Sequence, residues 1–209
     1  MLIPLETLAA FFTASVLLAL APGPDNLFVL TQSALHGRLS GLLVTLGLCT
    51  GLLVHTAAVT FGVAVIFQTS ALAFTALKFF GAGYLLYLAW GAWRTGSAEI
   101  KGAANNGLSR IRLYRRGIIM NVTNPKVSIF FLAFLPQFAD PARGSLAWQM
   151  IALGGIFIVA TILVFGSVAL LAGTLGNWLA RSSSAQIVMN RVAGLVFVGL
   201  ALKLVTTRR

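Results

Sequence analysis

Two ionisable side chains, Asp25 and Lys126, govern the chemistry this chain can do. Asp25 directly follows Ala21-Pro22-Gly23-Pro24 and precedes Asn26, and Lys126 directly follows Asn121-Val122-Thr123-Asn124-Pro125. Both lie inside long apolar runs. The chain's four acids are Glu6, Asp25, Glu99 and Asp140, and only Asp25 sits deep in such a run; Lys126 is the only base at comparable depth. A charge near a bilayer centre costs about 3 kcal/mol or more, so each must face a partner or a wet cavity. A carboxylate, an amine, the amides of Asn26, Asn121 and Asn124 and the hydroxyl of Thr123 can together bind a small zwitterion or ion, and the carboxylate can take up and release a proton. The same residues also fit a structural ion pair, with the amides repairing interrupted backbone.

The elements that position these groups are broken helices. Pro22 and Pro24 lack an N–H and clash with the preceding turn, so the carbonyls of Leu18 and Leu20 lose their helical donors. Pro125 likewise frees the carbonyl of Asn121. Asp25 then stands at the start of the next half-helix, where the helix dipole favours an anion and disfavours a cation such as Lys126. Lys126 therefore calls for a nearby anion, either Asp25 or a bound carboxylate.

Composition sets the surroundings of both breaks. The 209 residues are 58% hydrophobic and 9% charged, with fifteen Phe, and mean hydropathy is +0.93. This describes an all-α integral membrane protein. Six apolar runs can be read: 5–35, interrupted at Pro22–Pro24; 41–67; 71–93; 117–138, interrupted at Asn124–Lys126; 146–175; and 187–205. Trp90, Trp93 and Arg94 form an interfacial anchor after the third. The polar link 95–116 carries Lys101, Arg110, Arg112, Arg115 and Arg116 and predicts a loop ending in a short basic helix. The net charge of +11 resides mostly in such connections, as orientation-setting charge does, and no basic face points to nucleic acid. The bias puts the link in the cytoplasm and, with six spans, both termini outside, although Arg208 and Arg209 pull the other way.

Other residues contribute less. His55, in the second run, reads as a proton relay or as a packing residue with one hydrogen bond. Lys78 reads as a cation snorkelling to the interface, and Cys49 as a small core residue. Two distant histidines, one cysteine and one deep acid give no metal-ligand cluster. No Gly-Lys-Ser/Thr loop exists for a nucleotide, so no cofactor is expected. The deep pair alone offers little for an enzyme. The first six residues lack the positive start of a signal peptide. Gly37, Gly41, Gly47 and Gly51 allow close helix approach, within one chain or between two copies of a homo-oligomer.

The halves resemble each other. Pro24-Asp25-Asn26-Leu27 aligns with Pro125-Lys126-Val127-Ser128, Gly47 with Gly154, and Ala82-Gly83 with Ala193-Gly194. The chain is thus expected to be one transporter domain: repeat one at 1–94, the link at 95–116 and repeat two at 117–209. Each repeat has three helices, the first broken at proline. An odd number of spans per repeat inverts one against the other, and paired breaks then lie near the midplane.

Ala21-Pro22-Gly23-Pro24-Asp25-Asn26, then Gly117-Ile118 with Asn121-Val122-Thr123-Asn124-Pro125-Lys126, then Phe134-Leu135-Pro136-Gln137-Phe138, together resemble the LysE/RhtB family of bacterial amino-acid exporters. Gly81-Ala82-Gly83-Tyr84-Leu85-Leu86-Tyr87 also resembles that family's third helix. The resemblance implies an inner-membrane protein that exports amino acids or close relatives, such as homoserine lactones, driven by protons. It leaves the substrate open. On that reading Asp25 meets the ammonium group, Lys126 or the half-helix amides meet the carboxylate, and one repeat rocks against the other. A small-ion or divalent-metal exporter or channel, or a membrane scaffold, is the alternative; a channel calls for rings of acids or carbonyls, and none is evident in the sequence.

Overall fold

A computed structural model describes residues 3–63, 71–95 and 108–206, side chains at 63, 71, 73, 74 and 173–181 aside. Residues 96–107 of the basic link, with Glu99 and Lys101, and the terminal Arg208 and Arg209 lie outside these. The described residues form helices and turns without a strand.

Helix α1 spans Leu5–Leu20 and α2 spans Pro24–His36. Their axes bend by 64° across Ala21–Gly23. Pro24 takes the first position of α2, where the missing N–H costs nothing and φ is already helical. Gly37 alone connects α2 to α3 (Arg38–Ala58), with φ +85°, which a side chain would strain. A π turn, Val59–Val63, extends α3. Helix α4 runs Ala71–Arg94.

The second half opens the same way. Helix α5 spans Arg110–Val122 and α6 spans Pro125–Ile129, continued by a π turn (Phe130–Phe134) and a 3-10 turn (Leu135–Phe138). The bend between Arg110–Val122 and Pro125–Phe138 is 49°. Helices α7, Leu146–Arg181, and α8, Ser183–Thr206, complete the chain. The basic end of the link is helical as expected. It is moreover continuous with the fourth apolar run, because nothing between Arg110 and Val122 breaks a helix.

By length and apolarity three described segments can cross a membrane, Arg38–Gly62, Leu146–Ala172 and Ser183–Thr206, or up to five if each bent pair is one span. The exposed Leu46, Leu53, Phe79, Phe80, Leu163, Leu195 and Leu202 suit a lipid-facing surface.

Glycines set the helix contacts that hold the breaks. A Cβ on Gly47 would collide with the carbonyl oxygen of Tyr114, and one on Gly117 with that of Val44, so α3 and α5 touch backbone to backbone. A Cβ on Gly51 would lie 2.7 Å from Asn121 Oδ1. Gly41 faces Ser33 of α2 and Ala169 of α7, and Gly154 faces Thr56. Gly41, Gly47 and Gly51 thus serve packing within one chain, whereas a Cβ on Gly37 would meet nothing within 4 Å.

The largest core joins α1, α4, α6, α7 and α8, and its phenylalanines gather around the π turn that follows α6. Phe11, Phe130, Phe131, Phe134 and Phe157 are buried there, with ring centroids 4.7 Å apart for Phe130–Phe134, 5.3 Å for Phe130–Phe157 and 5.1 Å for Phe131–Phe157. At the membrane edges Arg94 lies 4.6 Å over the Trp90 ring. Trp93 Nε1 donates to the Arg191 carbonyl at 3.2 Å, and Lys78 Nζ reaches the Val205 carbonyl at 3.1 Å. Cys49 is buried, as a core residue should be.

Candidate functional site at the two helix breaks

The two breaks meet. Asn124 is the residue that joins them, and it does so as a helix cap. Its backbone is extended, and its Oδ1 accepts the N–H of Lys126 at 3.0 Å, satisfying one orphan donor at the start of α6. That bond fixes the amide orientation, leaving Nδ2 to donate to Asp25 Oδ2 at 2.7 Å. Asp25, at the start of α2, is 3% exposed and Lys126 is 7% exposed.

Lys126 finds its partners elsewhere than its sequence position suggests. Among the described residues the ion pair within 4 Å is Arg143–Asp140, in the turn before α7. Lys126 Nζ instead donates to the carbonyls of Ala21 at 3.0 Å and Leu18 at 3.3 Å. These belong to the C-terminal end of α1, which the proline break strips of helical donors. An exposed helix C-terminus carries a partial negative charge. Backbone carbonyls thus supply the hydrogen bonds of Lys126, and Asp25, which attracts it electrostatically, is linked to the same break through Asn124. Asn26 Nδ2 donates to the Ala19 carbonyl at 2.8 Å, which further repairs the end of α1.

The structure brings together Pro22, Gly23, Pro24, Asp25, Asn26, Asn124, Pro125 and Lys126. Gly23 is extended (φ −170°), and a Cβ there would lie 3.2 Å from Lys126 Nζ. Its glycine leaves the amine open on that side. Asn121 and His55 form an adjoining pair. His55 Nε2 donates to the carbonyl of Asn121 at 3.1 Å, which requires the tautomer with hydrogen on Nε2, and the His55 ring packs 5.6 Å from that of Phe131. His55 thus reaches the second break through Asn121. Thr123 bonds its own helix through the carbonyl of Ile119.

Several buried oxygens here have no hydrogen-bond donor: Asp25 Oδ1, Asn26 Oδ1 and Asn121 Oδ1. Unmet buried acceptors are costly and so are rare without a reason. Asp25 Oδ1 and Asn26 Oδ1 at the first break form an environment short of donors, suited to a group rich in N–H or to a proton, while Asn121 Oδ1 packs against Gly51.

A cleft of about 380 Å³ opens beside this cluster, lined in part by Pro24, Phe28, Gln32, Arg116 and Met120. It lies between α2 and α5, on the side of the link. Sequence reasoning missed Gln32, although a lone amide in an apolar run was a usable signal, and it left Arg116 in the link.

The chain matches the LysE type translocator family over residues 16–208. It is 33% identical over 201 residues to an uncharacterized membrane protein of Vibrio cholerae, covering 95% of this chain and 96% of the relative. It is 34% identical over 199 residues to the homoserine/homoserine lactone efflux protein of Salmonella typhimurium, with 95% and 96% covered. A leucine efflux protein of Salmonella choleraesuis is 27% identical over 199 residues, with 94% and 93% covered. No solved structure gives a significant match. Nearly full-length coverage of both chains and the family match across both breaks identify this multi-pass bacterial membrane protein as a member of the LysE-type translocator family.

Proposed function

We propose that this chain is a secondary exporter of amino acids or closely related metabolites across the bacterial inner membrane, exchanging them for protons. Relatives named for homoserine, homoserine lactone and leucine efflux support the substrate class. One observation carries the site: Asp25 is buried, its Oδ2 is held by Asn124, and its Oδ1 has no donor. A substrate ammonium supplies that donor, and so does a proton. The two therefore compete for Asp25, which is the requirement for exchange. The neighbouring acceptor Asn26 Oδ1 adds to a donor-poor wall for the ammonium.

The carboxylate approaches Lys126 over Gly23. A protonated lysine has three N–H donors, and the carbonyls of Ala21 and Leu18 take two. His55 joins the proton path at the second break through Asn121. Six spans follow if α4, 24 residues and roughly 36 Å long at 1.5 Å per residue, is added to the five. Two inverted repeats of three helices then rock against each other, with the link in the cytoplasm. The cleft on the link side fits a state open toward the link.

The test is accumulation of a labelled amino-acid panel, including L-leucine and L-homoserine, in proteoliposomes with an imposed pH gradient. Wild-type protein is expected to concentrate at least one of them. Asp25→Asn is expected to lose accumulation while retaining exchange down a gradient. Uphill transport by Asp25→Asn at the wild-type rate overturns the coupling role, and no movement of any panel member overturns the exporter reading.

A further inference from the structure

We infer that the cleft between α2 and α5 is a separate loading site for an amino-acid zwitterion, in which Arg116 takes the carboxylate and Gln32 the ammonium, before the substrate reaches Asp25. This rests on the exporter reading. The cleft has about 380 Å³, ample for a small amino acid. It runs from Arg116, one turn and a half into α5, to Pro24 at the first break, so its inner end adjoins Asp25.

Its two polar ends are complementary to the two ends of an amino acid. The Arg116 guanidinium lies 4.8 Å over the Phe28 ring. This cation–π contact anchors the guanidinium at the cleft, and a guanidinium can grip a carboxylate in two parallel bonds. No ion pair or hydrogen bond among the described residues occupies those donors. Gln32 lines the same cleft, and its Oε1 is buried without a donor. It is an acceptor lacking what an ammonium provides. Leu27 and Met120 supply apolar wall for an aliphatic side chain.

A phosphatidylethanolamine headgroup has the same pairing of anion and ammonium, so the test separates the two sources. Uptake of L-leucine and of L-leucinamide, which lacks the carboxylate, is measured for wild type, Arg116→Gln and Arg116→Lys. Proteoliposomes are made of phosphatidylglycerol alone or with phosphatidylethanolamine. Losing a charged hydrogen-bonding partner is expected to raise KM for leucine by about tenfold in Arg116→Gln. KM for leucinamide should stay unchanged, and Arg116→Lys should recover part of the loss. Gln32→Leu should raise KM for both compounds, since both carry the ammonium. Equal effects of Arg116→Gln on leucine and leucinamide overturn the assignment. So does an effect that appears only with phosphatidylethanolamine, which makes the cleft a lipid site. If wild type moves no amino acid of the panel in either lipid, the exporter reading falls together with this one; if wild type moves one of them and Arg116→Gln leaves its KM unchanged, this one falls alone.

Discussion

The Asn124 amide donates to the Asp25 carboxylate at 2.7 Å, so that one hydrogen bond ties the two helix breaks together. The same side chain caps α6 through Oδ1. Asn124→Ala should therefore lose two contributions: a cap of about 1 kcal/mol and a bond to a carboxylate of about 1.5–3 kcal/mol. Asn124→Ser keeps a capping oxygen and cannot reach Asp25, so its stability should fall between wild type and Ala. Thermal unfolding in detergent reads the order. Full stability in the Ser variant would mean that the bond to Asp25 contributes nothing.

Lys126 makes a sharper case. Lys126→Met leaves the buried carbonyls of Ala21 and Leu18 without their donor, a cost of about 1–3 kcal/mol for each unmet group. Lys126→Arg keeps a cation but must fit a larger head beside Gly23, where even a Cβ would approach Nζ to 3.2 Å. Both variants should melt below wild type. A Met variant as stable as wild type would show that closing the end of α1 is not what Lys126 does for the fold.

The seam between α3 and α5 predicts opposite signs for one kind of substitution. Replacing a helical Gly by Ala ordinarily stabilises by about 1 kcal/mol. Gly155→Ala should do so, because a Cβ there meets nothing within 4 Å. Gly47→Ala and Gly117→Ala drive a methyl into a carbonyl of the facing helix and should destabilise. Melting temperatures of the three variants, measured side by side, decide it; equal shifts would remove the seam as a determinant.

His55→Gln keeps an N–H donor for the Asn121 carbonyl and removes the imidazole. The fold should survive with little change in melting temperature. Proton-driven uptake should fall severalfold while exchange down a gradient persists, because an amide cannot relay a proton as an imidazole can. Unchanged proton-driven uptake would leave His55 as a brace for the break.

Much of this arrangement was legible in the residue order. Proline inside an apolar run demands a break, and one deep acid and one deep base at matching offsets demand a common site. The carbonyl of Leu18, deprived of its donor by Pro22, is indeed taken by another group. The identity of that group was hidden. Charge signs suggested that Lys126 faces Asp25 or a bound carboxylate, because backbone dipoles leave no trace in composition; only the meeting of α1's last turn with α6 reveals the carbonyls that take its hydrogen bonds. Arg116 was hidden for another reason. A cation next to an apolar run looks like a boundary, and only the path of α5 carries it to the cleft beside Pro24. Gln32 stood in plain view as a polar residue among Leu30, Ser33 and Leu35, but alternation of types cannot say which side of α2 faces a cavity.

The crossed repair of the breaks bears on how the protein is made. The carbonyls of Leu18 and Ala21 are satisfied by residue 126, more than a hundred positions later in the chain. During synthesis the first broken helix enters the bilayer long before its lysine exists. It must wait with open carbonyls, in contact with water or with the insertion machinery, until the second half arrives. A chain stopped within the link would hold a first half that no further packing of its own could close.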